Sequence, residues 1–335
     1  MIPSVDRLVL TSVVDGTYLA ILPDRQFGHL SVERTRRPRA PSLRAEHGLA
    51  YHLASARGGE QRQILVDFGL TIQSLQTNLQ LLGIELTEAE ALVLSHGHGD
   101  HYGGLLALAD AMPIWAERGI PLYVGGEDTF CRRWTVDARG QRVRSEQLAR
   151  SGVEARGLRV IVAKEPTVVG GHLMLSGQIP RVTDFETGLA NARVEVGVPG
   201  TDCADALRLL RDETDAQPGD LIADHFAGEI AAIYNVRERG LVVISSCGHA
   251  GIINTVRHAQ RATGIERIHA VVGGWHLADA TENVIGCTVS ALVDLAPDYF
   301  IPMHCTGFST MARLEQALPG RVVEPSVGTR VVFGM

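Results

Sequence analysis

The chain has 335 residues, 45% of them hydrophobic and 21% charged, with a formal net charge of −7. Such a composition can bury a sizeable core in one large domain or two small ones, and it excludes the weakly hydrophobic, highly charged class of disordered chains. An acidic balance argues against duplex nucleic acid as a partner, because that affinity comes from phosphates neutralised by clustered Lys and Arg.

The first residues, Met1 to Arg7, lack the basic start and long apolar core of a secretory signal. No run approaches the length of a membrane span, so no membrane partner is expected. The five cysteines, Cys131, Cys203, Cys247, Cys287 and Cys305, are scattered and odd in number. That usage does not suggest a disulfide framework, and a reducing, cytoplasmic setting is the default expectation.

Residues 8–14 and 48–53 read as short strands, joined by an Arg- and Pro-rich loop over 34–44. A third apolar strand, 63–67, ends in the carboxylate of Asp67. Over 71–82 the residues Ile72, Leu75, Leu79 and Leu82 fall on one side of a helix, and Thr87-Glu88-Ala89-Glu90 has the form of a capping start. The run Ala91-Leu92-Val93-Leu94 then feeds Ser95-His96-Gly97-His98-Gly99-Asp100-His101, after which 104–109 begins an apolar helix.

This stretch concentrates metal-competent groups more than any other. His96 and His98 lie two apart, so in extended backbone their side chains emerge on one side and can grip one cation. The glycines around Asp100 and His101 let a second pair of ligands fold close to the first. Imidazole with a carboxylate is a donor set that zinc accepts, as one or two ions, with iron or manganese as substitutes.

From 127 to 201 the pattern weakens into a variable, arginine-rich insertion of the kind that carries specificity. His172 within it reads as an ordinary loop histidine. The second half begins near Asp220, with strands over 228–234 and 240–245 joined as a hairpin at Arg237-Glu238-Arg239. The second of these delivers Cys247 and His249 onto a glycine-flanked turn. Cys247 could ligate as a thiolate or lie buried and inert, and His225 could stand in for His249. A helix over 252–262 precedes a strand over 268–272 that ends at Trp275 and His276, which fit the wall of a site. His276 could bind substrate, move protons or ligate. After a helix over 288–296, a strand over 299–304 ends on His304. Cys305 is expected to face away from it, because adjacent strand positions alternate. Strand, ligand turn and helix recur in both halves, which is a physical reason for one composite site between them.

Glu46-His47-Gly48-Leu49-Ala50, Ile64-Leu65-Val66-Asp67-Phe68-Gly69, the Ser95 to Leu105 run, Ser246-Cys247-Gly248-His249-Ala250-Gly251, Gly273-Gly274-Trp275-His276-Leu277 and Pro302-Met303-His304-Cys305-Thr306-Gly307 occur in a characteristic order. In this the chain resembles the metallo-β-lactamase superfamily. The branch it resembles is typified by an enzyme that joins a dihydropterin methyl diphosphate to an aminobenzene riboside phosphate.

The resemblance implies an α/β fold, a four-layer αββα sandwich with metals at one sheet edge, as a single domain over 1–335 with the insertion at about 127–201. It implies His96, His98 and His249 on one metal, Asp100, His101 and His304 on the other, and Asp67 hydrogen-bonded to a ligand imidazole. Asp100 and His276 are the catalytic candidates, and Trp275 with His276 the substrate contacts. The implied activity is hydrolysis of an ester, lactone, amide or phosphoester by metal-activated water. The alternatives are the branch's diphosphate-displacing transfer and an iron-dependent oxygenase. A small-molecule substrate and a monomer or homodimer are expected. The chain departs from the branch at Gly99 and at Phe68, where a Tyr-like residue and a Thr are usual.

Overall fold

The computed structural model describes residues 2–37, 39–197, 203 and 216–334; residues 198–201, the last of the 127–201 stretch, lie outside them. Among the described residues the strands make two large sheets and one small one. The nine-stranded sheet runs, in spatial order, Arg159–Val162, Pro121–Val124, Ala91–Val93, Glu60–Val66, Ala50–Arg57, Arg7–Val14, Thr329–Gly334, Leu30–Arg34 and Arg25–Phe27. The seven-stranded sheet runs Thr167–Val169, Leu173–Leu175, Ala232–Val236, Gly240–Ser245, Ile268–Gly273 and Tyr299–Pro302, with Ser4–Val5 added alongside Ala232–Val236.

Period-two alternation in the strands builds the layers. Leu8, Leu10, Tyr51, Leu53, Ile64 and Val66 point inward against Tyr234, Val242, Ile244, Ala270 and Val272 of the facing sheet. Leu65, Leu92 and Leu122 point outward beneath Leu75, Leu79, Leu105 and Leu108, which are carried by helices Ile72–Leu82 and Leu105–Ala111. On the other side Ile233, Val243 and Val271 pack under helices Ile252–Thr263, Glu282–Leu295 and Phe308–Ala317. The order is helix, sheet, sheet, helix, which is the four-layer αββα sandwich. Each fully buried Leu or Val contributes roughly 1.5–3 kcal/mol.

Helix Ile72–Leu82 matches its sequence signals: Thr71 caps the Ser74 N–H, and Gly83 closes the helix in the left-handed region at φ 67°. Three expectations need correction. Thr87 to Glu90 form a turn into strand Ala91–Val93 and start no helix. The Ala89 N–H bonds back to the Leu86 carbonyl, and Glu90 joins the strand ladder through the Gln63 carbonyl. The 127–201 stretch is only partly outside the sandwich. Arg159–Val162 extends the nine-stranded sheet, and Thr167–Val169 with Leu173–Leu175 extends the other. Finally, the cysteines are not all free: Cys131 and Cys203, 72 residues apart, form a disulfide, while Cys247, Cys287 and Cys305 are free. Parity and spacing carry no sign of such a pairing, because the fold alone brings the two together. Here the bridge sits in the small core with Val194, Val196 and Ile222. That core lies beneath the four-stranded sheet Arg142–Arg144, Arg133–Val136, Ala192–Glu195 and Leu221–Ala223. Among the described residues no helix is long and apolar enough to cross a membrane.

Candidate metal centre

The parallel strands place the site. Glu60–Val66 and Ala91–Val93 run parallel in one sheet, and Gly240–Ser245, Ile268–Gly273 and Tyr299–Pro302 run parallel in the other. The turns after their carboxyl ends deliver Asp67, His96, His249, His276 and His304 to one shared edge, where open α/β sheets place their ligands. The first histidine loop is pinned by backbone bonds. Phe68 N donates to His101 O at 2.7 Å, Leu49 N to Asp100 O at 3.2 Å, and Ile230 N, in the chain leading to the facing sheet, to Ser95 O at 3.0 Å. Gly97 is required by closeness, since a Cβ there would strike the Thr129 carbonyl and the Arg133 guanidinium.

His96, His98 and His249 form the first group. Their ring centroids are 4.7–4.8 Å apart. Their donor atoms lie within 4.8 Å of one another. Ser95 Oγ sits 2.9 Å from His96 Nδ1, which leaves the buried Nε2 without a hydrogen-bond partner among the described residues; both ring nitrogens of His249 are likewise buried and unpartnered there. Buried imidazole nitrogens converging without partners fit a divalent cation, because a closed hydrogen-bond network would otherwise have satisfied them. Burial, reinforced by the neighbouring imidazoles, holds His96 and His249 well below the usual histidine range. Burial and the Arg133 guanidinium bring His98 down to about 3. All three are therefore neutral near pH 7, as metal ligands must be.

Asp100 organises the second group. Its Oδ2 lies 3.3 Å from His304 Nε2, 3.4 Å from His47 Nε2 and 3.6 Å from His101 Nε2. Burial opposes its charge, but His101 and the His304 hydrogen bond hold it far below the ordinary carboxylate range. His101 lies between the groups, its ring 4.3 Å from that of His96 and 5.1 Å from that of His304. Asp67 fixes its orientation: Oδ2 meets His101 Nδ1 at 2.7 Å, while the same carboxylate accepts from the Ser95 N–H and hydroxyl at 2.8 Å. Against the cost of burial, Asp100 and Asp67 push His101 up to about 9.

Two further carboxylates brace the turns. Glu229 accepts from the N–H groups of His249 at 2.9 Å and Ala250 at 2.6 Å, and Asp15 accepts from the His304 N–H at 2.9 Å. Arg133 is buried and paired with Asp224 and Asp128; its guanidinium lies over Phe226, whose ring stacks on His249 at 4.1 Å.

The structure thus brings together His96, His98, Asp100, His101, His249, His276 and His304, with Asp67 behind them. His172 lies elsewhere, hydrogen-bonded to Ser55 at 2.9 Å, and His225 is exposed, its neighbours Asp224 and Phe226 facing the site instead. His47 joins the second group although only its place in a motif hinted at it. Cys305 does not face away. His304, at φ 48°, starts a short helical turn, His304–Thr306, rather than continuing the strand, so side chains no longer alternate. This sets Cys305 Sγ 3.5 Å from Cys247 Sγ, where it also accepts the His276 N–H at 3.3 Å.

Beside the centre lies a cavity of about 370 Å³ lined by Phe185, Leu189, Trp275, His276, Leu277 and Val284 among others. A smaller one of about 220 Å³ contains His98, Arg133 and Arg193. Leu189, Asn191, His276 and Asp279 line both. Trp275 is mostly core, packed edge-on against Phe300. Among the other insertion arginines, Arg132 pairs with Glu195 and Arg150 with Glu127 and Glu154.

A family model described as the metallo-beta-lactamase superfamily matches residues 50–182. The 7,8-dihydropterin-6-methyl-4-(beta-D-ribofuranosyl)-aminobenzene-5'-phosphate synthase of Methanocaldococcus jannaschii is 27% identical over 269 residues, covering 79% of this chain and 82% of that protein. An uncharacterized protein of the same organism is 26% identical over 258 residues, covering 76% and 83%. The crystal structure of a metal-dependent hydrolase of the β-lactamase superfamily aligns with a TM-score of 0.68 at 19% identity, covering 96% of this chain and 98% of that one, which is a likeness of fold. With the layers and the edge-bound histidine turns described above, these likenesses give the chain the metallo-β-lactamase fold, with the match to the superfamily's own model lying within residues 50–182.

Proposed function

We propose that the chain is a metal-dependent hydrolase acting on an ester, lactone, amide or phosphoester of a small molecule, as a monomer or homodimer. The observation that carries this reading is the convergence of unpartnered buried imidazole nitrogens and the Asp100 carboxylate beside an open cleft. His96, His98 and His249 would hold one cation and Asp100, His101 and His304 a second, zinc or, failing that, iron or manganese. Such a cation supplies Lewis acidity, making water nucleophilic near neutral pH and drawing charge from the scissile group.

The chain's own groups do the rest. Asp100 faces His47, His101 and His304 with one oxygen, and as a firmly ionised carboxylate it would orient the attacking water by accepting its hydrogen bond. His276 lines both cavities, and its Nδ1 has no hydrogen-bond partner among the described residues. Burial opposes its charge, but the Cys305 hydrogen bond and charge, with Asp279 and Glu229, raise it above the ordinary imidazole value. It is thus suited to donate a proton to a leaving group. The apolar wall of Phe185, Leu277 and the Trp275 edge excludes water from one side of the substrate.

A second reading is a transferase that displaces diphosphate, favoured by the likeness to the synthase. Arg193 lines the smaller cavity, where its guanidinium would meet phosphate oxygens. Metal-loaded protein is to be incubated with a panel of lactones, phosphoesters and a pterin methyl diphosphate plus an aryl amine, with products read by mass spectrometry. Water-derived products lost in H98A support the hydrolase, coupled product with released diphosphate selects the transferase, and activity that survives complete metal removal overturns both.

Compartment is a separate question. An oxidising one suits the Cys131–Cys203 bridge, whereas three free cysteines suit the cytoplasm. Alkylation in the cell before lysis, followed by peptide mass analysis, decides between them.

A further inference from the structure

Cys247 occupies the middle of the centre. Its Sγ lies 3.1 Å from His101 Nε2 and 3.5 Å from Cys305 Sγ. It falls within 4.8 Å of donor atoms in three sets: with His96 and His101, with His249 and His276, and with His304 and Cys305. The first and second sets draw on the imidazole group of His96 and His249, the first and third on the side containing His101 and His304. No other side chain among the described residues recurs in three such sets. Two donors on one tetrahedral zinc, at about 2.3 Å for sulfur and about 2.0 Å for nitrogen, stand roughly 3.5 Å apart. The 3.1 Å between Cys247 Sγ and His101 Nε2 is of that order.

The strand Gly240–Ser245 fixes this position, because its end pairs with Gly273 and leaves Cys247 on the turn braced by Glu229. Solvent does not reach the thiol, which is 2% exposed. A sulfur so enclosed has no water to stabilise its anion and takes that stabilisation from a cation.

We propose that Cys247 is a thiolate ligand shared by the two cations, sitting between the His96–His98–His249 group and the Asp100–His304 group. On metal binding the thiol proton leaves to solvent as the sulfur–metal bonds form, with no change of oxidation state. Cys305 hydrogen-bonds the Cys247 sulfur and anchors His276 through the His276 N–H. The inference rests on the metal-centre reading above and adds a soft donor to it, which favours zinc, iron or cobalt over magnesium or calcium.

The test is to strip the protein of metal, titrate it with cobalt(II), and record bound cobalt together with the near-ultraviolet thiolate-to-cobalt charge-transfer absorption. The expected result is two bound cobalt ions and a band that continues to grow through the second equivalent, kept in C305S and C287S and lost in C247S. A second measurement needs no variant: bound zinc should slow alkylation of Cys247 at least tenfold relative to metal-free protein, read by peptide mass spectrometry. Cobalt bound by the wild-type protein without a charge-transfer band overturns the thiolate while leaving the metal centre standing. A band lost in C305S and kept in C247S overturns it in favour of the neighbour, and a band complete at one equivalent overturns the sharing. Absence of any bound cobalt, with no protection of Cys247, removes the metal-centre reading and this inference together.

Discussion

Asp67 uses one carboxylate for three hydrogen bonds, two to Ser95 and one to His101, and so fixes both the start of the histidine loop and the tautomer of its last imidazole. Replacing it with Asn leaves the size and removes the charge-assisted bond, so metal affinity should fall 10- to 100-fold by calorimetric titration, on the order seen for such supporting groups. His98→Ala should lower bound metal measured by plasma emission, and an unchanged stoichiometry would sink its role as a ligand. The pH response of the metal-free protein follows from the same residues. His98 titrates at about 3 against an unfolded value of 6.5. The unfolded chain therefore binds more protons below 6.5, and stability should fall as pH drops towards 3. His101, raised to about 9, acts in the opposite sense: its contribution is full below 6.5 and lost as pH rises through 9. Urea midpoints at pH 5, 7 and 9 should peak in the middle, and a flat profile would contradict both assignments. At this scale His96, His98, Asp100 and His101 were legible because they share one loop. His47 and Cys305 were not, since their place depends on chain reversals that no local pattern records.

Strands and helices were legible where an apolar period was clean, as in helix Ile72–Leu82 and the hairpin around Glu238. Reading failed where an ending mattered. The run of residues 299–304 gave no sign that Pro302 would close the strand and His304 open a tight turn, and that ending decides which way Cys305 points. Helix Glu282–Leu295 begins six residues before the stretch read as helical, because Thr281, rather than the apolar spacing, sets its start by accepting from the Val284 N–H. Leu75 tests the element-level account. It is fully buried between helix and sheet, so Leu75→Ala should cost about 2–5 kcal/mol of unfolding free energy in denaturant melts without changing metal stoichiometry. A loss of metal in a still-folded L75A protein would show that the helix layer and the site are not independent.

Both large sheets send imidazoles to one edge, so a cation held there by His96 and His249 would connect the two halves of the sandwich. Binding to the folded state alone stabilises it, by about 4 kcal/mol when free metal exceeds its dissociation constant 1,000-fold. Chelation should therefore lower the melting temperature, and added zinc should restore it; equal melting with and without chelator would separate the centre from the fold's stability. The other tie across the molecule is sulfur on sulfur. Cys131 and Cys203 are separated by 72 in sequence, and by chain-entropy reasoning such a loop contributes roughly 4 kcal/mol. That clasp secures the strand bearing Arg133 and Trp134, which stand at the rim of the smaller cavity. An enzyme built this way would carry a wall whose rigidity tracks the oxidising strength of its surroundings, so that preparations handled with and without reductant would differ in how firmly they grasp a substrate while performing the same chemistry on it.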